Sequence, residues 1–256
     1  MPPRLHPDFL RLPLAHRGLH DRTKGVVENS PSAFGAAIAA GYGIELDVQL
    51  SSDGAAVVFH DETLERLTAA TGAVAERPMA DLARLTLTGG SDTIPSLVTV
   101  LAMVSGRVPL LIELKDQTLT LGNSDGQLEA ATARALDGYG GPVAVMSFNP
   151  SMIAHMARLA PGIARGITTS SYDPADWAPV SAQTCERLRD IPDYDAVEAS
   201  FISHQGDDLT RPRVADLRAK GATILCWTIR SPSEEAQARA VADNITFEQY
   251  LPPIPA

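Results

Sequence analysis

Gly43-Ile44-Glu45-Leu46-Asp47-Val48-Gln49-Leu50 sets two carboxylates two residues apart inside an apolar run. Side chains two apart on a strand share a face, so Glu45 and Asp47 aim at one point. Two anions that close want a cation between them. Just upstream, Ser30-Pro31 offers a capping side chain followed by a proline whose missing N–H costs nothing in a helix's first turn. Gly41 supplies the left-handed residue on which that helix ends, directly ahead of the strand.

The same rhythm runs along the whole chain. Short apolar, often β-branched runs bounded by Gly, Pro or Asp predict strands at 12–17, 43–50, 109–115, 142–148, 163–168, 195–201, 222–229 and 243–248. Asn149-Pro150 and Ser231-Pro232 repeat the helix start, Ser231 with Glu234 fits a capping box, and Gly221 repeats the helix end ahead of the Trp227 strand. Eight strand-helix units in 256 residues predict an α/β fold, a closed (β/α)8 TIM barrel. One strand breaks the alternation. Residues 55–60 follow the second barrel strand after only Ser51-Ser52-Asp53-Gly54, too short for a parallel crossover, so they fold back as a hairpin. With Ser51 and Gly54 flanking the turn, Val58 falls opposite Asp47 and His60 opposite Glu45, which brings an imidazole to the carboxylates. Residues 51–96, with one helix expected over 79–87, read as a small insertion on the rim of a single domain, 1–256. The tail Leu251 to Ala256, with three prolines, predicts no closing helix after the last strand.

A content of 45% hydrophobic and 20% charged residues is an ordinary globular makeup, sufficient for a full core. No stretch approaches the roughly 18 unbroken apolar residues of a membrane span, and Met1 to Pro13, with Arg4, His6, Asp8 and Arg11, lacks a signal-peptide core. The expectation is a cytoplasmic protein without stable membrane insertion. A net charge of −10 with no basic run argues against nucleic acid as partner, and obliges an anionic substrate to find a local positive site. Cys185 and Cys226 stand in unrelated contexts and read as two reduced, structural thiols. Oligomeric state leaves no mark on the sequence.

Pro109-Leu110-Leu111-Ile112-Glu113-Leu114-Lys115 repeats the same-face spacing with opposite charges. In a barrel the C-terminal strand ends carry the active site, so His16, Glu45, Asp47, Glu113 and Lys115 converge at one mouth. Three carboxylates without thiolate ligands suit a hard cation, Mg2+ or Ca2+. Arg17 and Lys115 add fixed positive charge, the planar fork of arginine matching a phosphate. His16 and His60 accept and release protons near neutral pH, and on either side of a phosphate they serve phosphodiester cleavage. A salt bridge from Glu45 or Asp47 to Lys115 or Arg17 is the plainer reading of the acids. Phe148 and Trp227 end strands at the mouth, either as core or as a wall for substrate. His6, His20, His155 and His204 lack such context and read as surface or packing residues.

His16-Arg17-Gly18, Glu28-Asn29, Glu45-x-Asp47, His60-Asp61, Glu113-x-Lys115, Ser147-Phe148 and Trp227-Thr228, in that order, resemble the glycerophosphodiester phosphodiesterase family over nearly the whole chain. The resemblance implies a (β/α)8 barrel that hydrolyses glycerophosphodiesters, a small-molecule substrate, to an alcohol and glycerol 3-phosphate with one divalent cation. It places metal ligands at Glu45, Asp47 and Glu113, acid/base histidines at His16 and His60, and phosphate contacts at Arg17 and Lys115. Two departures stand out. The family's last strand usually ends in Thr-Asp-x-Pro where this chain has Thr246-Phe247-Glu248, and the first loop, Leu19 to Val27, is long. Both are expected on the rim, away from the metal ligands, where they bear on alcohol specificity. A phospholipase D-like lyase shares nearly all these residues but calls for an apolar rim or a secretion signal. A sugar isomerase or aldolase shares the barrel, the acids and the metal, though not the paired histidines with Arg17. A non-catalytic phosphodiester-binding barrel completes the alternatives.

Overall fold

The computed structural model describes residues 2–255; Met1 and Ala256, at the ends of two of the segments read above, lie outside the described residues. Eight parallel strands form the barrel: β1 (Leu14–Ala15), β2 (Gly43–Leu50), β4 (Leu110–Leu114), β5 (Val143–Ser147), β6 (Ala164–Thr169), β7 (Phe201–Gln205), β8 (Thr223–Ile229) and β9 (Asn244–Phe247). β3 (Ala56–Val58) is the antiparallel fold-back on β2. The strand order β1-β9-β8-β7-β6-β5-β4-β2-β3, together with pairing of β1 to β2, closes the ring. The α-helices are α1 (Asp8–Arg11), α2 (Pro31–Ala40), α3 (Met79–Leu82), α4 (Leu97–Val104), α5 (Gln127–Leu136), α6 (Pro150–Leu159), α7 (Ala182–Arg189), α8 (Pro212–Ala219) and α9 (Pro232–Ala238), and among the described residues no helix follows β9. None of them is long and apolar enough to cross a membrane.

The caps act as their chemistry requires. The side chains of Ser30, Asn149 and Ser231 accept from backbone N–H groups in the first turns of α2, α6 and α9, each followed by proline. Glu234 reaches back to the N–H of Arg230, one residue before the cap, closing a shifted capping box. Gly41 ends α2 at φ +79° and Gly221 stands at φ +93° ahead of β8. Alternation divides the strands into two faces. Ile44, Leu46, Val48, Leu110, Ile112 and Leu114 pack outward under the helices. Leu14, Leu111, Ala144, Ala164, Phe201 and Leu225 fill the barrel floor together with Phe9 of α1. Asn244 seals that end, its amide donating to the carbonyls of Phe9 and Leu12 at 2.7 Å each. Both cysteines are buried and free.

Three local expectations are corrected. The sixth barrel strand, β7, runs over Phe201–Gln205, not 195–201. Val197 and Ala199 are buried, but in successive turns closed by bonds such as Ala199 N–H to Tyr194 C=O, so their apolar character serves the outer layer. The helix expected over 79–87 stops at Leu82, and Leu82 and Leu87 pack instead with Val57, Phe59, Leu64, Leu67, Val74 and Ile94 in a small core of their own that also takes Val27. The hairpin register is one residue away from the expected one, with Val58 opposite Val48. Gly54, at φ +77°, is an extra residue within the turn, and Ser51 donates its N–H to the carbonyl of Ala55. A one-residue slip exchanges faces, which turns Val57 and Phe59 toward the insertion's core.

Gly166 faces the barrel floor, where a Cβ would collide with the ring of the fully buried Phe201. Gly166→Ala is expected to destabilise the protein by ~1–3 kcal/mol, the usual cost of overpacking. Urea denaturation followed by circular dichroism measures it, and an unchanged midpoint contradicts this packing.

Candidate active site

The loop after β1 turns sharply. Arg17 and Gly18 both take left-handed conformations, φ +54° and +80°. A side chain at Gly18 would meet the backbone and Cβ of Ala33 at 2.9 Å, so only glycine lets the loop lie against α2. The turn points the Arg17 N–H at Glu45 Oε2, 2.9 Å away, and its carbonyl accepts from the N–H of Asn29 at 2.9 Å. Asn29, itself at φ +54°, then donates its amide to Asp47 Oδ2 at 2.9 Å.

Glu45 and Asp47 from β2 and Glu113 from β4 meet as the sequence predicts. Asp47 and Glu113 are register partners, and one oxygen from each of the three carboxylates lies within 4.8 Å of the others. All three residues are buried. Lys115 Nζ stands 3.0 Å from Glu113 and 3.7 Å from Asp47, and Arg17 Nε lies 3.4 Å from Asp47. The salt-bridge reading thus describes Asp47 and Glu113. It does not describe Glu45, which has no lysine or arginine within ion-pair distance among the described residues and is held by the Arg17 N–H alone. Burial, then Asp47 and Glu113, push the Glu45 carboxyl well above the usual carboxylate range. Burial would raise Asp47 as well, but His60, Lys115, Arg17 and the Asn29 amide outweigh it and hold that group low. Lys115 is desolvated, yet Glu113 and Asp47 keep its ammonium protonated above the ordinary lysine range.

Both predicted histidines reach this cluster, and each is tied to a carboxylate. His60 Nδ1 is 2.7 Å from Asp61 and its Nε2 is 3.2 Å from Lys115 Nζ. His16 Nδ1 is 2.7 Å from Glu248 Oε2. Burial lowers the His16 pKa despite the opposing pull of Glu248, so the ring is neutral near neutral pH. One cavity of about 300 Å3 is lined by His16, Arg17, Glu45, Asp47, His60, Glu113 and Lys115 together with Phe148 and Trp227. Phe148 meets Trp227 edge to face with centroids 5.4 Å apart. Every residue singled out from the sequence therefore comes to the same mouth.

Several partners have roles that the sequence did not assign. Glu28 is buried beneath Arg17 Nη1 at 2.6 Å and also accepts two bonds from Arg66, at 2.8 and 2.9 Å. Burial opposes its ionisation, but Arg66 and Arg17 bring its pKa down to about 2. Arg66 grips Asp61 at the same time, so an unbroken path of charges joins Arg17 to His60 through the insertion. Trp177, in the loop after β6, adds a third aromatic wall 4.9 Å from Phe148, with nothing in its local sequence to mark it. Glu248, expected on the rim away from the metal ligands, touches His16 there. His20, read as surface or packing, lies 3.6 Å from the same carboxylate. His204 is a packing residue, fully buried between Thr169 and Asp208.

A model of the glycerophosphoryl diester phosphodiesterase family matches residues 16–246. YhdW of Bacillus subtilis is 26% identical over 248 residues, 93% of each chain. The glycerophosphodiester phosphodiesterase of Caldanaerobacter subterraneus subsp. tengcongensis is 31% identical over 166 residues, 61% of this chain and 65% of its own. Among solved structures, an Oleispira antarctica phosphodiesterase in complex with the product sn-glycerol-3-phosphate superposes with a TM-score of 0.76 at 27% identity over 94% of each chain. With the family model running from the residue that follows β1 into β9, and so over nearly the whole barrel, the chain belongs to the glycerophosphoryl diester phosphodiesterase family of phosphodiester-cleaving enzymes.

Proposed function

We propose that this chain hydrolyses glycerophosphodiesters to an alcohol and glycerol 3-phosphate, using His16 and His60 as acid/base catalysts and one divalent cation, Mg2+ or Ca2+, held by Glu45, Asp47 and Glu113. The observation that carries the reading is the union, in one cavity, of three buried carboxylates, two cationic side chains and two imidazoles. The relative that binds sn-glycerol-3-phosphate supports the same substrate class.

The all-oxygen triad fits a hard cation, and Glu45, lacking a cationic partner of its own, is the group such an ion would hold ionised. When bound, the cation supplies Lewis-acid charge stabilisation to a phosphoryl oxygen. The chain's own residues do the rest. Arg17 is locked by Glu28 and Asp47, so its guanidinium waits at a fixed place for a phosphate oxygen, and Lys115 adds a second charge beside it. Asp61 and Glu248 each engage an Nδ1, so proton transfer to and from the ester falls to the Nε2 edges, that of His16 without a protein partner among the described residues and that of His60 beside Lys115 Nζ at 3.2 Å. Phe148 and Trp227 exclude water and face the substrate's carbon skeleton.

Release of alcohol from glycerophosphocholine is expected to require added Mg2+ or Ca2+ and to stop with chelator, and His16→Ala and His60→Ala each to lower turnover by ~10²–10⁴-fold. Turnover unaffected by both chelator and the two substitutions contradicts the reading. A second measurement isolates the ion from the reaction. Titrating metal into chelator-treated protein should raise the melting temperature, because a ligand that binds only the folded state stabilises it. Glu45→Gln should melt no lower than the metal-free parent and lose that rise, and a full rise in the variant places the ion elsewhere.

A further inference from the structure

We propose that Glu248 is a positioning residue for His16, fixing its tautomer and ring orientation; the inference rests on the catalytic reading of His16 given above. The contact is short, Nδ1 to Oε2 at 2.7 Å, and the Glu248 side chain is only 13% exposed, so water screens the pair weakly. A carboxylate accepts only, so the Nδ1 atom carries the proton and Nε2 presents its lone pair. Among the described residues, no protein group bonds that Nε2.

The backbone makes this placement rigid. Alternation along β9 turns the Phe247 side chain outward onto Tyr42, with ring centroids 4.8 Å apart, and brings Glu248 back to the mouth. The Glu248 N–H donates to Ile229 C=O at 3.0 Å, and the His16 N–H donates to Phe247 C=O at 2.9 Å, so both residues hang from paired backbone. The second carboxylate oxygen is occupied too, by Arg230 Nε at 2.7 Å. His60 has the same arrangement from unrelated segments: Nδ1 to Asp61 at 2.7 Å, and Asp61 to Arg66 Nε at 2.6 Å. Two imidazoles of one cavity thus each rest on a carboxylate that an arginine holds. An ion pair serving the rim alone would need Arg230 and Glu248 but not the imidazole, and Arg230 is half exposed, where such pairs contribute little.

The test uses the full chain loaded with Mg2+ or Ca2+ and glycerophosphocholine, comparing the parent with Glu248→Gln, Glu248→Ala, His16→Ala and His16→Ala/Glu248→Ala. We expect Glu248→Ala to lower kcat ~10- to 1000-fold with KM within about twofold, since orientation of a proton-transfer group is lost and binding is kept. Glu248→Gln retains an acceptor oxygen and should fall between Glu248→Ala and the parent, which guards against a folding defect. The double variant should turn over no more slowly than His16→Ala, because Glu248 acts through that ring. Long-range 15N–1H correlation spectra read the tautomer directly: Nδ1–H in the parent, moving toward Nε2–H in Glu248→Ala. An unchanged tautomer, or a kcat within twofold of the parent for Glu248→Ala while His16→Ala is inactive, overturns the proposal. Full turnover in His16→Ala removes the catalytic reading of that histidine instead, and the spectra then decide on Glu248 alone.

Discussion

Three carboxylates within 4.8 Å of one another, all buried in the mouth of the barrel, are the arrangement around which the neighbouring structure is organised. Burying even one unpaired carboxylate costs several kcal/mol, and like charges at this range add to it. The surroundings answer each acid differently. Asp47 receives Lys115, Arg17 and the Asn29 amide; Glu113 receives Lys115; Glu45 receives only a backbone N–H. That last bond explains the left-handed turn at Arg17. A non-glycine residue in that region carries a strain on the order of 1 kcal/mol, offset here by the hydrogen bond to the buried Glu45 carboxyl.

Compensation at one acid propagates outward. The arginine that approaches Asp47 must itself be held, and Glu28 holds it; Glu28 is buried and needs a second cation, which Arg66 supplies; the remaining edge of Arg66 closes on Asp61 beside His60. The insertion is therefore fastened to the barrel at two levels. Its apolar residues pack around Phe59 and Val57 with Val27 of the first loop, and its Arg66 completes a charge path that begins at Arg17. Either level alone would leave it loosely tied, since a core of about ten residues is small and isolated ion pairs contribute little.

How much of this the sequence carried depended on the range of the signal. β2 and β4 declare themselves because their period of two puts acids on one face of an otherwise apolar run, and α2, α6 and α9 because Ser-Pro or Asn-Pro makes a local cap. β7 did not, because its inward and upper residues are Ser203, His204 and Gln205, and the preceding Val197 and Ala199 mimic a strand while packing in turns. The hairpin failed by one residue for the same reason of range: whether Gly54 belongs to the turn or to the strand is decided by the backbone, not by composition. Glu28, Arg66 and Glu248 went unassigned because their meaning lies in partners 11, 38 and 232 positions away.

The mouth also has a division that no single motif expresses. Going round from β1 through β2 to β4 the lining is His16, Glu45, Asp47, Glu113 and Lys115, and on the far side, from β5 onward, Met146, Phe148, Trp177 and Trp227 come first, with Thr228, Arg230 and Thr246 closing the ring back toward His16. The tryptophan of β8 spends its indole N–H on the carbonyl of Ser203, so the ring offers the cavity mainly its apolar surface. The acids and the aromatic rings thus stand on opposite sides of about 300 Å3, with the Phe148 and Trp227 rings stacked edge to face as a wall. A free phosphate would satisfy only the first half and a hydrocarbon only the second. Under the proposed reading, a phosphoryl group bearing a short carbon skeleton engages both, so that binding energy gathered on the aromatic side holds the ester against the imidazoles on the other.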